Sequence, residues 1–233
     1  VHPVLFEAGR SLGADGLVDQ AIAHWARLVE TVTGRRGPDN DDAITARAEL
    51  AYWQGVSGDA AGAAAVLSGL LPDVTEVLGH DHPRTLSVRQ ELARWRGEAA
   101  DPQRAAEELA GLLPDVVRVF GADHPHTLTT RHELAYWRGA AGDAAGAVAA
   151  LEELRDTETR VLGPDHPGHL ATRHNLARWR GEAGDAEGAA AALGRAARRA
   201  LQIGLQTGTP VYVLDKGRIV DLTRRHPRKA RQR

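Results

Sequence analysis

His80 and His82 stand two residues apart, as do His124 and His126, a spacing from which part of a metal site could be built. A closed site needs three or four convergent ligands of fixed geometry. One histidine of each pair instead precedes a recurring proline, in His82-Pro83, His124-Pro125 and His166-Pro167. The favoured reading is therefore the start of a helix, and neither a metal nor a cofactor is expected. Arginine also recurs, at Arg47, Arg89, Arg131 and Arg173, with Gln54, Arg96, Arg138 and Arg180 seven residues later and on about the same helix face. Guanidinium forks suit phosphates and carboxylates, so an anion-binding ladder is one reading. The other is a set of salt bridges to acids on the adjacent helix, and the many nearby acids favour it. Gly204, Gly208 and Thr209 near Lys216 hint at a phosphate loop, but no Lys-Ser/Thr follows the glycines as such a loop requires. No Gly-x-Ser-x-Gly, His-Glu-x-x-His or cysteine pair occurs. The chain is expected to have no catalytic residue.

The elements that carry these residues repeat at 42. Arg47 to Trp53 returns as Arg89 to Trp95, Arg131 to Trp137 and Arg173 to Trp179, and Gly37, Gly79, Gly121 and Gly163 keep the same interval. Such a period marks a solenoid, in which one repeat cannot bury its own apolar face and neighbours must stack. Four full repeats fall at about 37–78, 79–120, 121–162 and 163–204, after a worn or truncated one at 1–36. Each reads as two helices. The first opens at His-Pro, because proline suits a first helical turn, with Asp81, Asp123 and Asp165 ahead as acidic or capping residues. It closes near Gly55, Gly97, Gly139 and Gly181, read as left-handed stops. Asp59, Asp101, Asp143 and Asp185 then cap the second helix.

The second helices show one apolar face, Ala63, Leu67, Leu70, Val74, Val77 and Ala105, Leu109, Leu112, Val116, Val119. Pro72 and Pro114 fall inside them, where kinks are expected. Each Trp follows a Leu by three residues, so Trp53, Trp95, Trp137 and Trp179 are expected in the core. Beyond about 206, Val211 to Leu214 and Arg218 to Leu222 around Asp215-Lys216-Gly217 read as a β-hairpin, within 207–223. Residues 224–233, six of them basic, read as a disordered tail.

Leu134-Ala135, Gly142 and Ala147, recurring in register, resemble the tetratricopeptide repeat. The 42-residue period and the linker Val161-Leu162-Gly163-Pro164-Asp165-His166-Pro167 are similar to its kinesin-light-chain type, common in bacterial regulatory proteins. The resemblance covers about 1–204. It implies an all-α fold, a right-handed α-solenoid of antiparallel helix pairs whose first helices line a concave groove for a peptide or protein partner. In that type an Asn pair before Leu-Ala holds the partner's backbone. The matching places here are Ala48-Glu49, Gln90-Glu91, His132-Glu133 and His174-Asn175, of which only Asn175 agrees in type.

The expected function is a protein-interaction scaffold. The groove contacts expected are Glu49, Tyr52, Gln90, Glu91, Arg94, His132, Glu133, Tyr136, His174, Asn175 and Arg178. An alternative is the sensor arm of a larger signalling or transcription regulator whose effector part lies elsewhere. Residues 1–222 carry 31 acidic and 23 basic groups, so the body offers no net positive surface for nucleic acid. No apolar run of about 18 residues suggests a membrane span. The absence of cysteine suits a reducing compartment, and the arginine, alanine and glycine load a GC-rich bacterial gene, so a cytoplasmic location is expected.

Overall fold

The structure, a computed structural model, describes residues 3–207, 211–215 and 218–221. It divides into two compact units, residues 1–141 and 142–233. In the first unit α1 (Pro3–Ala14), α3 (Asp41–Val56), α5 (Pro83–Glu98) and α7 (Pro125–Ala140) are the first helices of successive pairs. The second helices are α2 (Val18–Arg36), α4 (Ala60–Leu78) and α6 (Pro102–Phe120). The second unit holds α8 (Ala144–Val161), α9 (Pro167–Glu182) and α10 (Ala186–Thr207). Among the described residues, the chain from 41 to 207 forms no strand. Beyond it, β1 (Tyr212–Asp215) and β2 (Arg218–Asp221) run antiparallel, with Tyr212 opposite Asp221 and Val213 opposite Val220. The expected basic tail, 224–233, lies outside the described residues.

The helices α3 to α9 each have a local cause for their start. Asp59 accepts from the Gly62 N–H at 2.8 Å, Asp101 from that of Arg104 at 3.2 Å, and Asp143 from that of Gly146 at 2.8 Å. These are the expected caps of the second helices. The first helices differ from expectation. Their cap is the histidine itself, whose Nδ1 accepts from the N–H two residues on, at 3.2 Å for His82, 3.1 Å for His124 and 3.1 Å for His166. An imidazole can accept there only as the neutral form with its hydrogen on Nε2. In α3, Asn40 does the same for Asp42 at 3.0 Å. Asp81 is drawn away instead, to Arg118 of α6 at 2.8 Å.

The glycines near the ends of the first helices are not left-handed stops. The positive φ falls three residues later, at Gly58 (97°), Gly142 (104°) and Gly184 (93°), and at Ala100 (77°) in the one repeat without glycine there. Gly55 and Gly97 lie inside their helices because tryptophan rings press on them. A Cβ built on Gly97 would lie 2.7 Å from the Trp137 ring, and one on Gly55 would collide with Trp95. Gly13 receives Trp53 in the same way. α1, α3 and α5 each therefore carry a socket for the tryptophan of the next repeat.

These rings meet the stripe of the second helices. Leu67, Leu70, Val74, Val88, Leu92 and Trp95 form one core cluster, and Leu109, Leu112, Val116, Leu134 and Trp137 another. Trp25, Trp95, Trp137 and Trp179 are buried, whereas Trp53 is half-buried. α4 and α6 each continue through their proline as one helix. Contrary to the sequence reading, α4 is long and apolar enough by composition to cross a membrane. Its stripe nevertheless packs against α3 and α5 as a core helix does.

In the second unit, Leu151, Leu154, Leu176 and Trp179 are buried. One register position breaks the apolar pattern. Where α4 has Val74 and α6 has Val116, α8 has Glu158, 2% exposed. Where α5 has Thr85 and α7 has Thr127, α9 has His169, 4% exposed. Thr85 and Thr127 donate their hydroxyls to the carbonyls of Gly79 and Gly121, at 2.8 and 2.6 Å. The substituted pair faces itself instead, with His169 Nδ1 3.9 Å from Glu158 Oε2. Burial raises the carboxyl pKa and lowers that of the imidazole, so both neutral forms are favoured.

Candidate partner-binding face

The arginine series separates along the chain. Arg47 pairs with Asp73 across α3 and α4, and Arg89 with Asp115 at 2.9 Å across α5 and α6. Arg96 binds Glu108, and Arg180 binds Glu152. These pairs join the first helix of a repeat to a second helix beside it and leave those guanidinium groups committed. They support the salt-bridge reading over the anion ladder. Among the described residues, no group of three histidines or carboxylates is placed to hold a metal.

The other face of the first helices is open. Between α3 and α5 lies a pocket of about 310 Å³. α3 contributes Thr45, Ala48, Glu49 and Tyr52, and α5 contributes Arg84, Ser87, Val88, Glu91 and Trp95. Both sets follow three- and four-residue steps, one face of a helix. Leu67 of α4 also lines it. The pocket exists because Ala48 is small. In the next repeat the same place is Gln90, which is 5% exposed and accepts from Thr130 Oγ1 at 2.8 Å. Thr130 stands in register with Val88. Ala48 and Val88 thus leave the space that Gln90 and Thr130 fill with a hydrogen-bonded pair.

Of the residues expected on this face, Glu49, Tyr52 and Glu91 line the pocket. Gln90 does not belong to it: its amide is buried between helices, where no partner can reach it. Glu133 and His132 follow on α7, both half-buried. Tyr52 and Tyr136 meet the next residue's ring edge-on, Trp53 and Trp137 at 5.1 and 4.8 Å. Arg94 and Arg178 lie instead over Trp95 and Trp179, at 4.5 and 4.4 Å from the ring centres. In the second unit His174 and Arg178 are exposed and Asn175 is half-buried, with Arg178 3.2 Å from Glu182. Ala48, Val88 and Leu67 were missed as pocket residues. Counting back four places from Glu49 and Glu91 would have found Thr45 and Ser87, and three places from Glu91 would have found Val88, but nothing in the sequence marked Ala48 as the gap.

Two carboxylates of this face feel desolvation. Burial, then the neighbouring Glu91, push Glu133 up to about 7, while Arg94 and the Gln90 amide pull it down. Burial also raises Glu91, with Arg94 opposing. Oε2 of each glutamate is buried and makes no hydrogen bond among the described residues.

No family model and no curated protein matches this chain. Its fold is similar to several solved structures. One is a kinesin light chain from Podosopora anserina with nearly identical TPR-like repeats. It has a TM-score of 0.72 and 24% identity, and covers 86% of this chain and 95% of that one. BtubC (BKLC) from P. vanneervenii follows with a TM-score of 0.70 and 17% identity, covering 86% and 80%. MamA has a TM-score of 0.55 and 12% identity, covering 84% and 96%. The chain therefore has a helical-repeat fold of the tetratricopeptide-like, kinesin-light-chain-like kind.

Proposed function

We propose, from this kinesin-light-chain-like repeat fold, that the chain is an interaction scaffold and that the first-helix face of the first unit docks an extended segment of another protein. The pocket between α3 and α5 carries the reading. It is open, walled largely by apolar side chains, and set among polar groups that recur from repeat to repeat. That is how a peptide groove combines one anchoring side chain with main-chain and charged contacts. Catalysis has no place in this reading. A reaction centre needs unlike groups converging within hydrogen-bond reach, whereas this face presents like groups 42 residues apart.

The test is a selection of random displayed peptides on the full chain, followed by Ala48→Trp to fill the pocket. Selected peptides should lose at least tenfold in affinity, with circular dichroism and melting unchanged. If their binding survives a folded Ala48→Trp chain, the pocket is not the docking site.

A further inference from the structure

Charge is unevenly shared between the two units. Residues 1–141 hold 20 acidic and 13 basic groups, a net −7, whereas residues 142–233 come to +5. On the open face of the first unit the imbalance is local. Its cations are Arg10, Arg84 and Arg94, and its acids are Asp41, Glu49, Glu91 and Glu133.

Two of the cations are committed. Arg84 binds Asp41 and Thr45. Arg10 binds Glu49 at 2.9 Å and Glu7 at 3.2 Å. Arg94 stands 3.6 Å from Glu91, too far for a hydrogen bond, and lies over the Trp95 ring. That leaves Glu133 with no ion pair among the described residues and Glu91 with a loose one. Glu133 is largely desolvated, Glu91 keeps 40% of its side chain exposed, and each holds a buried oxygen without a donor. A carboxylate in that state gains from any N–H donor that arrives charged.

Resting on the docking reading above, we infer that this face selects a cationic partner segment. One apolar side chain enters the pocket over Val88 and Trp95. A Lys or Arg beside it meets Glu91, and a second meets Glu133. α5 and α7 pack directly, through Gln90 and Thr130, so their axes lie about 8–10 Å apart. An extended chain covers that in about three residues. The motif is therefore an apolar residue, a cation next to it, and another cation about three places on. An acidic segment would meet Glu91 and Glu133 as like charges.

The probe is a fluorescein-labelled nonapeptide, Gly-Ser-Leu-Lys-Gly-Ser-Lys-Gly-Ser, titrated by anisotropy against the full 233-residue chain. Its twin carries Glu in place of both Lys. The Lys peptide should bind at least tenfold more tightly than the Glu twin, and the gap should narrow with added salt. Glu91→Gln with Glu133→Gln should abolish the preference while the fold is retained, since two neutral amides of the same shape replace the two acids. Equal binding of the twins, a preference that survives the double Gln variant, or no binding of the Lys peptide at 1 mM overturns the inference. Ala48→Trp separates the two proposals. If the twins bind equally but both are lost on filling the pocket, docking stands and cation selection falls. If neither responds, both fall.

Discussion

The junction between α6 and α7 and the junction between α8 and α9 occupy the same place in successive repeats, yet one is apolar and the other buries two ionisable groups. Val116 packs beside Leu112 and Trp137, with Thr127 bonded to the Gly121 carbonyl. Glu158 and His169 hold the equivalent positions in the second unit. Repeats need an identical outline for stacking, but not an identical interior. The two changed side chains stand 3.9 Å apart, and burial favours the neutral form of each.

The largest effect should come from moving half of the polar pair into the apolar junction. Val116→Glu buries a carboxyl with no imidazole opposite and should cost about 3–5 kcal/mol in a denaturant melt. Adding Thr127→His should recover part of that. A loss below about 1 kcal/mol for Val116→Glu would show that the apolar junction never needed to be apolar.

Breaking the pair from the other side comes next. His169→Thr opens a gap beside the buried Glu158 and should cost about 2 kcal/mol by the same measurement. The double change Glu158→Val with His169→Thr copies the α6/α7 junction and should be at least as stable as the parent. If the double variant is the less stable one, the polar pair is itself a stabilising device.

A smaller difference lies in the response to pH. The folded chain holds the Glu158 proton more tightly than the unfolded chain, so this group's contribution to stability falls as pH rises above its ordinary 4.5. His169 acts oppositely. The unfolded chain takes its proton first, so stability falls as pH drops through the ordinary 6.5. Melts from pH 4 to 8 should show both slopes reduced in the double variant. Glu133 in the first unit supplies a further loss between pH 4.5 and about 7, which Glu133→Gln should remove. Identical pH profiles for all these chains would contradict the burial assigned to them.

The smallest effect concerns the turn of repeat 79–120. Ala100 sits at φ 77°, where its counterparts are glycine. Ala100→Gly should raise stability by about 1 kcal/mol by relieving the Cβ clash of the left-handed region.

The 42-residue register made the helix pairs, the second-helix caps and the apolar stripe legible, because each rests on residues close together in the chain. Long-range fits were harder to read. Gly55 and Gly97 look like helix stops in a one-dimensional pattern, and only the stacked structure shows the tryptophan rings above them. His82 looks like the residue before a proline, and its capping role depends on a ring orientation that spacing does not encode. Gln90 shares a column with Ala48, yet one fills its junction and the other leaves a pocket, a difference of side-chain volume that a search for chemical groups passes over.

The seating of Trp95 on Gly55, and of Trp137 on Gly97, gives each joint a plug on one side and a receptacle on the other. A gene segment encoding 42 residues, cut anywhere, carries one of each. Excising residues 79–120 would set the ring of Trp137 against Gly55, an exchange of like for like. Within residues 1–141 a step of one whole repeat therefore keeps ring and socket matched, even where the rest of the junction changes.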